Sequence, residues 1–308
     1  MSRLNVQRIE GNEESEPLQI FLDSNKAVAS TIFHRPRFLS YHRPDKFSSD
    51  LGFSFIHHVF RMGERIVGFI PGGLFTSNTD AVQYKSPAYS SYGGLVFDRT
   101  LKFDDLHEIL LLFKQTMDRD RVEKISFSQA PSLYDGVGSC IDNYVHYLLQ
   151  SQGFTLQVGE MLLAKQVSDG GAFEGVHATI RRQIAQAEKT GIRCQLEDLK
   201  PESYNLMLES QTRLGGHPTH TYAELEKILS LFPGCILSFS TRAADKLLAG
   251  IIAIKANSKV LNAFYIFDNT LSREMKGMQA TYWHVMLWAA ENGFEYVDFG
   301  PATFGLRP

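Results

Sequence analysis

The chain has 308 residues, with 31 Lys and Arg against 34 Asp and Glu for a formal charge of −3. That length exceeds what one hydrophobic core usually fills, so two domains are expected, and the near-balanced charge leaves no general electrostatic footprint for DNA; any tRNA contact would be local. Cys140, Cys194 and Cys235 are odd in number and widely spaced, which argues against a disulfide framework or a zinc site, and the absence of a signal core or a bilayer-length apolar run predicts a cytoplasmic protein.

In chain order, Met1 to Pro17 reads as an entry strand followed by the acidic turn Gly11 to Pro17, and Leu18 to Ala29 as a short helix. Phe33 to Leu39 forms a turn leading into an apolar anchor. Phe53 to Arg61 and Arg65 to Leu74 alternate with period two around Met62-Gly63-Glu64, the pattern of a β-hairpin. Ser86 to Leu95 combines proline, tyrosines and the pair Gly93-Gly94. Turn chemistry alone explains that segment; the functional alternative is that Gly93 and Gly94 admit a ligand close to the backbone while Tyr92 offers a hydroxyl and a flat face. A strand-like stretch from Ser91 to Phe97, a helix over Leu106 to Met117 and a short strand over Lys124 to Pro131 follow.

Val158 to Val167 reads as a strand, and Ser168-Asp169-Gly170-Gly171 as a break with a helix N-cap candidate. In the helix after Thr179, Ile180, Ile184 and Ala187 share one face, Arg182, Gln186 and Lys189 lie opposite, and Gly191 caps the end. The basic side is either a solvated surface or, through Arg181 or Arg182, a fork for a diphosphate or carboxylate. Helices are expected over Asp198 to Thr212 and Tyr222 to Leu231. His217 and His220 lie in the loop between them without a partner at metal-ligand spacing, so no metal is expected. Cys235 to Thr241 is a strand, Arg242 to Gly250 opens a second glycine-bearing hairpin, and Leu261 to Phe267 is β-rich. The helix Gln279 to Asn292 is apolar on more than one side, which predicts burial, with His284 as a core histidine. In the strand Glu295 to Pro301, Asp298 between Val297 and Phe299 is either a local turn cap or a base of raised pKa.

The succession of hairpin, β-rich stretch, helix and proline-terminated strand occurs twice. It predicts an α/β (α+β) fold of two copies of one module, residues 1–152 and 153–308, each a mixed, mostly antiparallel sheet flanked by helices, with a cleft between them.

Thr179 to Ile192, Tyr92-Gly93-Gly94, Arg35 to Leu39 and the terminal run Leu287 to Gly300 together resemble the Fem-type (FemAB-like) branch of the GNAT acyltransferase superfamily, over about Ile32 to Pro301. The resemblance implies tandem GNAT domains and transfer of an acetyl-like group from acetyl-CoA or another acyl-CoA to the amine of a cell-envelope amino sugar or peptidoglycan-type peptide precursor. Aminoacyl-tRNA is the alternative donor, and a non-catalytic tandem binding protein the reading from another class. It also implies an acyl donor lying along a splayed strand, Gly250 to Ile254 with Ile252 and Ile254 or else Leu261 to Phe267, and a diphosphate at the turn Arg273 to Ala280, with Lys276 and Gly277. That turn has a single glycine, where the family pattern has two small residues, and the chain stops at Arg307-Pro308 before the family's usual further strands. Carried over residue by residue, Tyr92, Gly93, Arg181 and Arg182 contact the acceptor, Tyr265 is the proton donor or positioning group, and Asp298 is the base.

Overall fold

A computed structural model describes residues 4–41, 52–76, 81–136, 142–157, 161–172 and 174–302. Cys140, the start of the expected Val158 to Val167 strand and Arg307-Pro308 lie outside them. The chain divides into two compact units, Met1–Gln157 and Val158–Pro308. Each is built on its own mixed sheet.

In the first unit, β1 (Leu4–Glu10), β2 (Ala27–Val28), β3 (Gly52–Met62), β4 (Arg65–Ile70), β5 (Gly73–Thr76), β6 (Val82–Ser86), β7 (Val96–Asp98) and β8 (Val122–Phe127) run in the order β2-β7-β4-β3-β5-β6-β8, with β1 also on β3. All strand pairs are antiparallel except β6 with β8. The crossover between that parallel pair contains α3 (Phe103–Arg119), whose Leu106, Ile109, Leu110, Phe113 and Met117 recur at helical spacing and are buried. The predicted strand Arg65 to Leu74 is in fact two strands. Pro71 and Gly72 break it where a Cβ on Gly72 would fall 2.4 Å from the Tyr84 ring. The expected helix Leu18 to Ala29 is also shorter: α1 (Glu16–Asp23) stops at Ser24, and Ala27–Val28 pairs with Asp98 and Phe97. Of Ser91 to Phe97 only Val96 and Phe97 lie in a strand.

An ionic latch, buried at Arg35 and Glu14 and exposed at Asp23, holds the Phe33 to Leu39 anchor, which contains α2 (Pro36–Leu39). Arg35 Nε lies 3.1 Å from Glu14 Oε1 and its Nη2 3.0 Å from Asp23 Oδ2. Burial raises the Glu14 carboxyl above its ordinary pKa even beside Arg35. Desolvation therefore outweighs the pairing there. One helix of this unit, α4 (Asp142–Ser151), has no counterpart in the sequence-based expectation.

The second unit has the strand order β10-β11-β12-β13-β14-β9, with β9 (Met161–Gln166), β10 (Ile192–Glu197), β11 (Ile236–Ala243), β12 (Lys246–Lys255), β13 (Val260–Asp268) and β14 (Tyr296–Ala302). Here too one pair alone among the described strands is parallel, β13 with β14. Their crossover is α9 (Gly277–Glu291), preceded by α8 (Thr270–Met275). One sheet face, with Leu237, Phe239, Ile251, Ala253, Leu261, Ala263 and Val297, packs on Val285 and Ala289 of α9. A second cluster joins Ala280 of α9 to Ala187 of α5 (Ala178–Lys189), so the all-round apolar helix lies between sheet and helix. His284 is half-buried there with its ring 6.2 Å from Phe239. The N-cap of α5 is His177, whose Nδ1 accepts from Thr179 N–H; Ser168–Gly170 forms a separate 3-10 turn. The helices α6 (Pro201–Arg213) and α7 (Tyr222–Leu231) complete the unit.

Candidate functional site

The face of the second sheet opposite α9 is unusually polar. Strand register aligns Ser238 with Ile252 and Tyr265, Ser240 with Gly250 and Phe267, and Ile254 with Asn262 and Asp298. Side chains alternate between faces, so these share one side. Ser238, Ser240, Asn262, Tyr265 and Asp298 are all buried, and Ser203 of α6 meets Ser240 at 3.3 Å.

At the centre of that face the sheet opens. β13 and β14 pair only over Val260–Asn262 and Tyr296–Asp298. Immediately beyond, β13 carries two residues, Ala263 and Phe264, opposite the single Ala253 of β12. At the same level β14 carries Phe299 and Gly300 opposite Leu163 of β9. Each is a β-bulge, which bends a strand and ends regular pairing. Gly300 has φ 81°, a conformation natural to glycine. Two bulges at one level separate the strands into a wedge. Its apex is pinned by Asp298, fully buried, which accepts from Asn262 Nδ2 at 3.0 Å and from Gly300 N–H at 2.8 Å. The second contact is the local turn cap that the sequence offered as one alternative. Ile252 and Ile254 lie elsewhere: β12 is flanked by β11 and β13, and both side chains are fully buried. The splay therefore falls at Leu261 to Phe267, the other of the two stretches expected to carry it.

Lys276 and Gly277 sit at the start of α9. Lys276, with φ 62°, ends α8 and begins α9 at once, and its side chain does not cap the new helix. Gly277 is buried where a Cβ would lie 2.8 Å from Ser272 Oγ, a fully buried hydroxyl without a hydrogen-bond partner among the described residues. An uncapped helix N-terminus with Lys276 beside it favours anions, while Arg273 is paired with Asp268 at 3.1 Å.

Tyr265 is buried, and burial pushes its phenol up to about 12. Its oxygen lies 2.7 Å from Thr219 Oγ1, 2.6 Å from His220 Nδ1 and accepts from His220 N–H at 3.0 Å. Tyr204 of α6 donates to His220 O at 3.1 Å. The His220 ring stands edge-on to Phe264, one of the two residues of the β13 bulge, with centroids 5.3 Å apart. The sequence placed His220 only in a loop, because its partner is 45 residues away.

In the first unit, Tyr92 is half-buried between the rings of Phe33 and Tyr134. Gly93 O accepts from His34 Nε2 at 3.0 Å, and a Cβ on Gly93 would meet Pro87 N at 2.4 Å. Gly94 N–H donates to Ser86 Oγ. These are the contacts of a tightly packed turn. The parallel pair β6 and β8 is zipped over all of β6, and the seam continues through Ser128 N–H to Ser86 O (2.7 Å) and Gly93 N–H to Ser128 O (2.8 Å). No wedge opens along that seam.

Arg181 and Arg182 are exposed on α5. The free cysteines Cys194 and Cys235 are held well up, to about 11 and about 12, by burial, which keeps them thiols. Among the described residues no group of three or more His, Cys, Asp or Glu side chains is placed to hold a metal, and no helix is long and apolar enough to cross a membrane.

Residues 175–305 match the family model of the acetyltransferase (GNAT) domain. The wedge, its crossover helix and this match together make the second unit a GNAT-type acyltransferase domain. Over 98% of this chain and 90% of the other, the fold is similar to that of FemX, with a TM-score of 0.67 at 12% identity. L-PGS from Bacillus licheniformis is similar over 79% of this chain and 71% of its own at TM-score 0.50 and 11% identity. No curated protein matches the chain by sequence.

Proposed function

We propose that this protein is an N-acyltransferase that moves an acetyl-like group from an acyl-CoA thioester to the amine of a cell-envelope amino sugar or peptide precursor, in the cytoplasm. The wedge between β13 and β14 carries this reading. A splayed strand pair leaves main-chain donors and acceptors along its inner edges, which suits an extended donor arm bound like an added strand. The start of α9, with Lys276 and Gly277, suits the diphosphate of such a donor. Arg181 and Arg182 are our candidates for reading an anionic group of the acceptor, and Tyr92 with Gly93 for a further acceptor contact. Asp298, held by Gly300 and Asn262, shapes the apex in this reading.

One observation favours aminoacyl-tRNA as the donor instead: Gly277 is the single glycine of the turn Arg273 to Ala280, a spare cradle for a diphosphate. Isothermal titration separates the readings. Micromolar binding of acetyl-CoA supports the first, and binding of charged tRNA with none of acetyl-CoA supports the second. Binding of neither overturns both in favour of a non-catalytic tandem binding protein.

A further inference from the structure

Three neighbouring stripes of α9 differ in what they meet. Thr281, Val285 and Ala289 are fully buried on the strands, while His284 and Trp288 turn toward Phe239 of β11. On the opposite flank Met278, Tyr282 and Met286, four residues apart and so on one side of the helix, are only half-buried. That flank faces β14. The Tyr282 ring stands edge-on to Phe299, with centroids 5.2 Å apart, and Phe299 belongs to the bulge at which β14 parts from β13. Ile266, beyond the last paired residue of β13, packs on the same cluster and is half-buried as well. Asp268, at the end of β13, is near enough for its charge to act on the phenol. On the side of α9 the wedge is therefore walled by Ile266 from one lip, Phe299 from the other and Tyr282 from the helix.

Among the described residues the Tyr282 hydroxyl makes no hydrogen bond, and unlike Ser272 Oγ it is not closed off from solvent. Burial, and after it the Asp268 carboxylate, raise the phenol above its ordinary pKa, so it keeps its proton at neutral pH and can donate. It lies five residues after Gly277, about 7.5 Å along the helix axis from the start of α9. A diphosphate held at that start would send its arm past this hydroxyl. Resting on the acyl-CoA reading, we propose that Tyr282 selects the acyl donor: its hydroxyl donates to the carbonyl of the first amide of a phosphopantetheine arm lying in the wedge. Met278 and Met286, with adaptable thioethers, flank the apolar carbons of that arm. The spacing suits an amide partway along the arm and falls short of the thioester, so Tyr282 binds the acyl donor and moves no proton. An aminoacyl ester of tRNA offers no such amide at that distance from a phosphate.

The test uses the full chain and Tyr282→Phe, which removes a hydroxyl and keeps the ring on Phe299. By isothermal titration, acetyl-CoA is expected to bind roughly three- to tenfold more weakly to the variant, the range of one neutral hydrogen bond. ADP, which offers the diphosphate without the arm, is expected to bind both proteins equally, and the thermal midpoint is expected to be unchanged. Equal acetyl-CoA affinity in the two proteins overturns the role of Tyr282 and leaves the acyl-CoA reading standing. An equal loss for ADP, or a lower midpoint in the variant, also overturns it, because the hydroxyl would then be serving the start of α9 or the fold. If the wild type binds no acetyl-CoA, the acyl-CoA reading falls and the role of Tyr282 falls with it.

Discussion

Asp298 carries two sequence readings, a local turn cap and a base, and its contacts allow a test of each. The carboxylate is fully buried and accepts from Asn262 and Gly300. Asp298→Ala removes the acceptor of both donors and is expected to destabilise the protein by about 2–4 kcal/mol. Asp298→Asn keeps an oxygen for Gly300 N–H and should lose less, as chemical denaturation would show. A variant that keeps its stability and loses acyl transfer would favour the base reading. Gly93 makes a similar point in the first unit. Because a Cβ there would sit 2.4 Å from Pro87 N and 2.5 Å from the Ser86 carbonyl carbon, Gly93→Ala must move backbone, and a loss of about 2 kcal/mol or more is expected in urea unfolding. The glycine was visible in the sequence; the backbone pressed against it was not. Likewise Tyr265 stood out as a tyrosine in a β-rich run, but its hydrogen bonds reach residues 45 and 46 positions away, beyond any local pattern.

Among elements, those with strong periodicity were legible. The hairpin around Gly63 and the helix Phe103–Arg119 follow from their apolar spacing and turn residues, and the helix Gly277–Glu291 from a long apolar run that is not confined to one face. Elements held by tertiary context were not. Strand Ile192–Glu197 follows Gly191 directly and alternates only weakly, so the helix end before it masked it. Bulges are relations between strands, and no single strand's sequence displays them. The turn from α8 to α9 carries a prediction at this scale. Lys276 holds φ 62°, a left-handed conformation that costs an L-residue about 1 kcal/mol. Lys276→Gly is expected to relieve that strain, shown by a higher midpoint in denaturant, while weakening acetyl-CoA roughly two- to fivefold by loss of one half-buried cation. Stability and affinity then move in opposite directions. If both fall, or affinity is unchanged, the turn does not receive the diphosphate.

At the scale of the molecule, the two mixed sheets bear out the tandem fold expected from the repeated order of elements. The first unit also buries His34, His57 and His58 as neutral rings. Burial lowers His34 and His57 from 6.5 to about 4 and His58 to about 3. His34 Nδ1 accepts from Thr31 N–H while Nε2–H donates to Gly93 O, and His57 Nδ1 accepts from Gly72 N–H, so these two neutral rings are built into the backbone, while His58 Nδ1 lies 3.3 Å from the Tyr84 hydroxyl. The unfolded chain binds more protons than the folded one below pH 6.5, so stability falls as pH drops from there toward 4 and 3. The loss amounts to a few kcal/mol per histidine on the order-of-magnitude scale. Thermal melts at pH 7.5, 5.5 and 4.5 should show a steep decline that His57→Gln and His58→Gln blunt; a flat profile would contradict the neutral burial. Finally, β9 pairs with β14, Gln166 opposite Tyr296. During synthesis on a ribosome, the opening strand of the second unit must wait for about 130 further residues before its neighbour exists. Closure of that sheet is accordingly a late and slow event, and until it happens the nascent chain exposes an unpaired edge to chaperones and to its own copies.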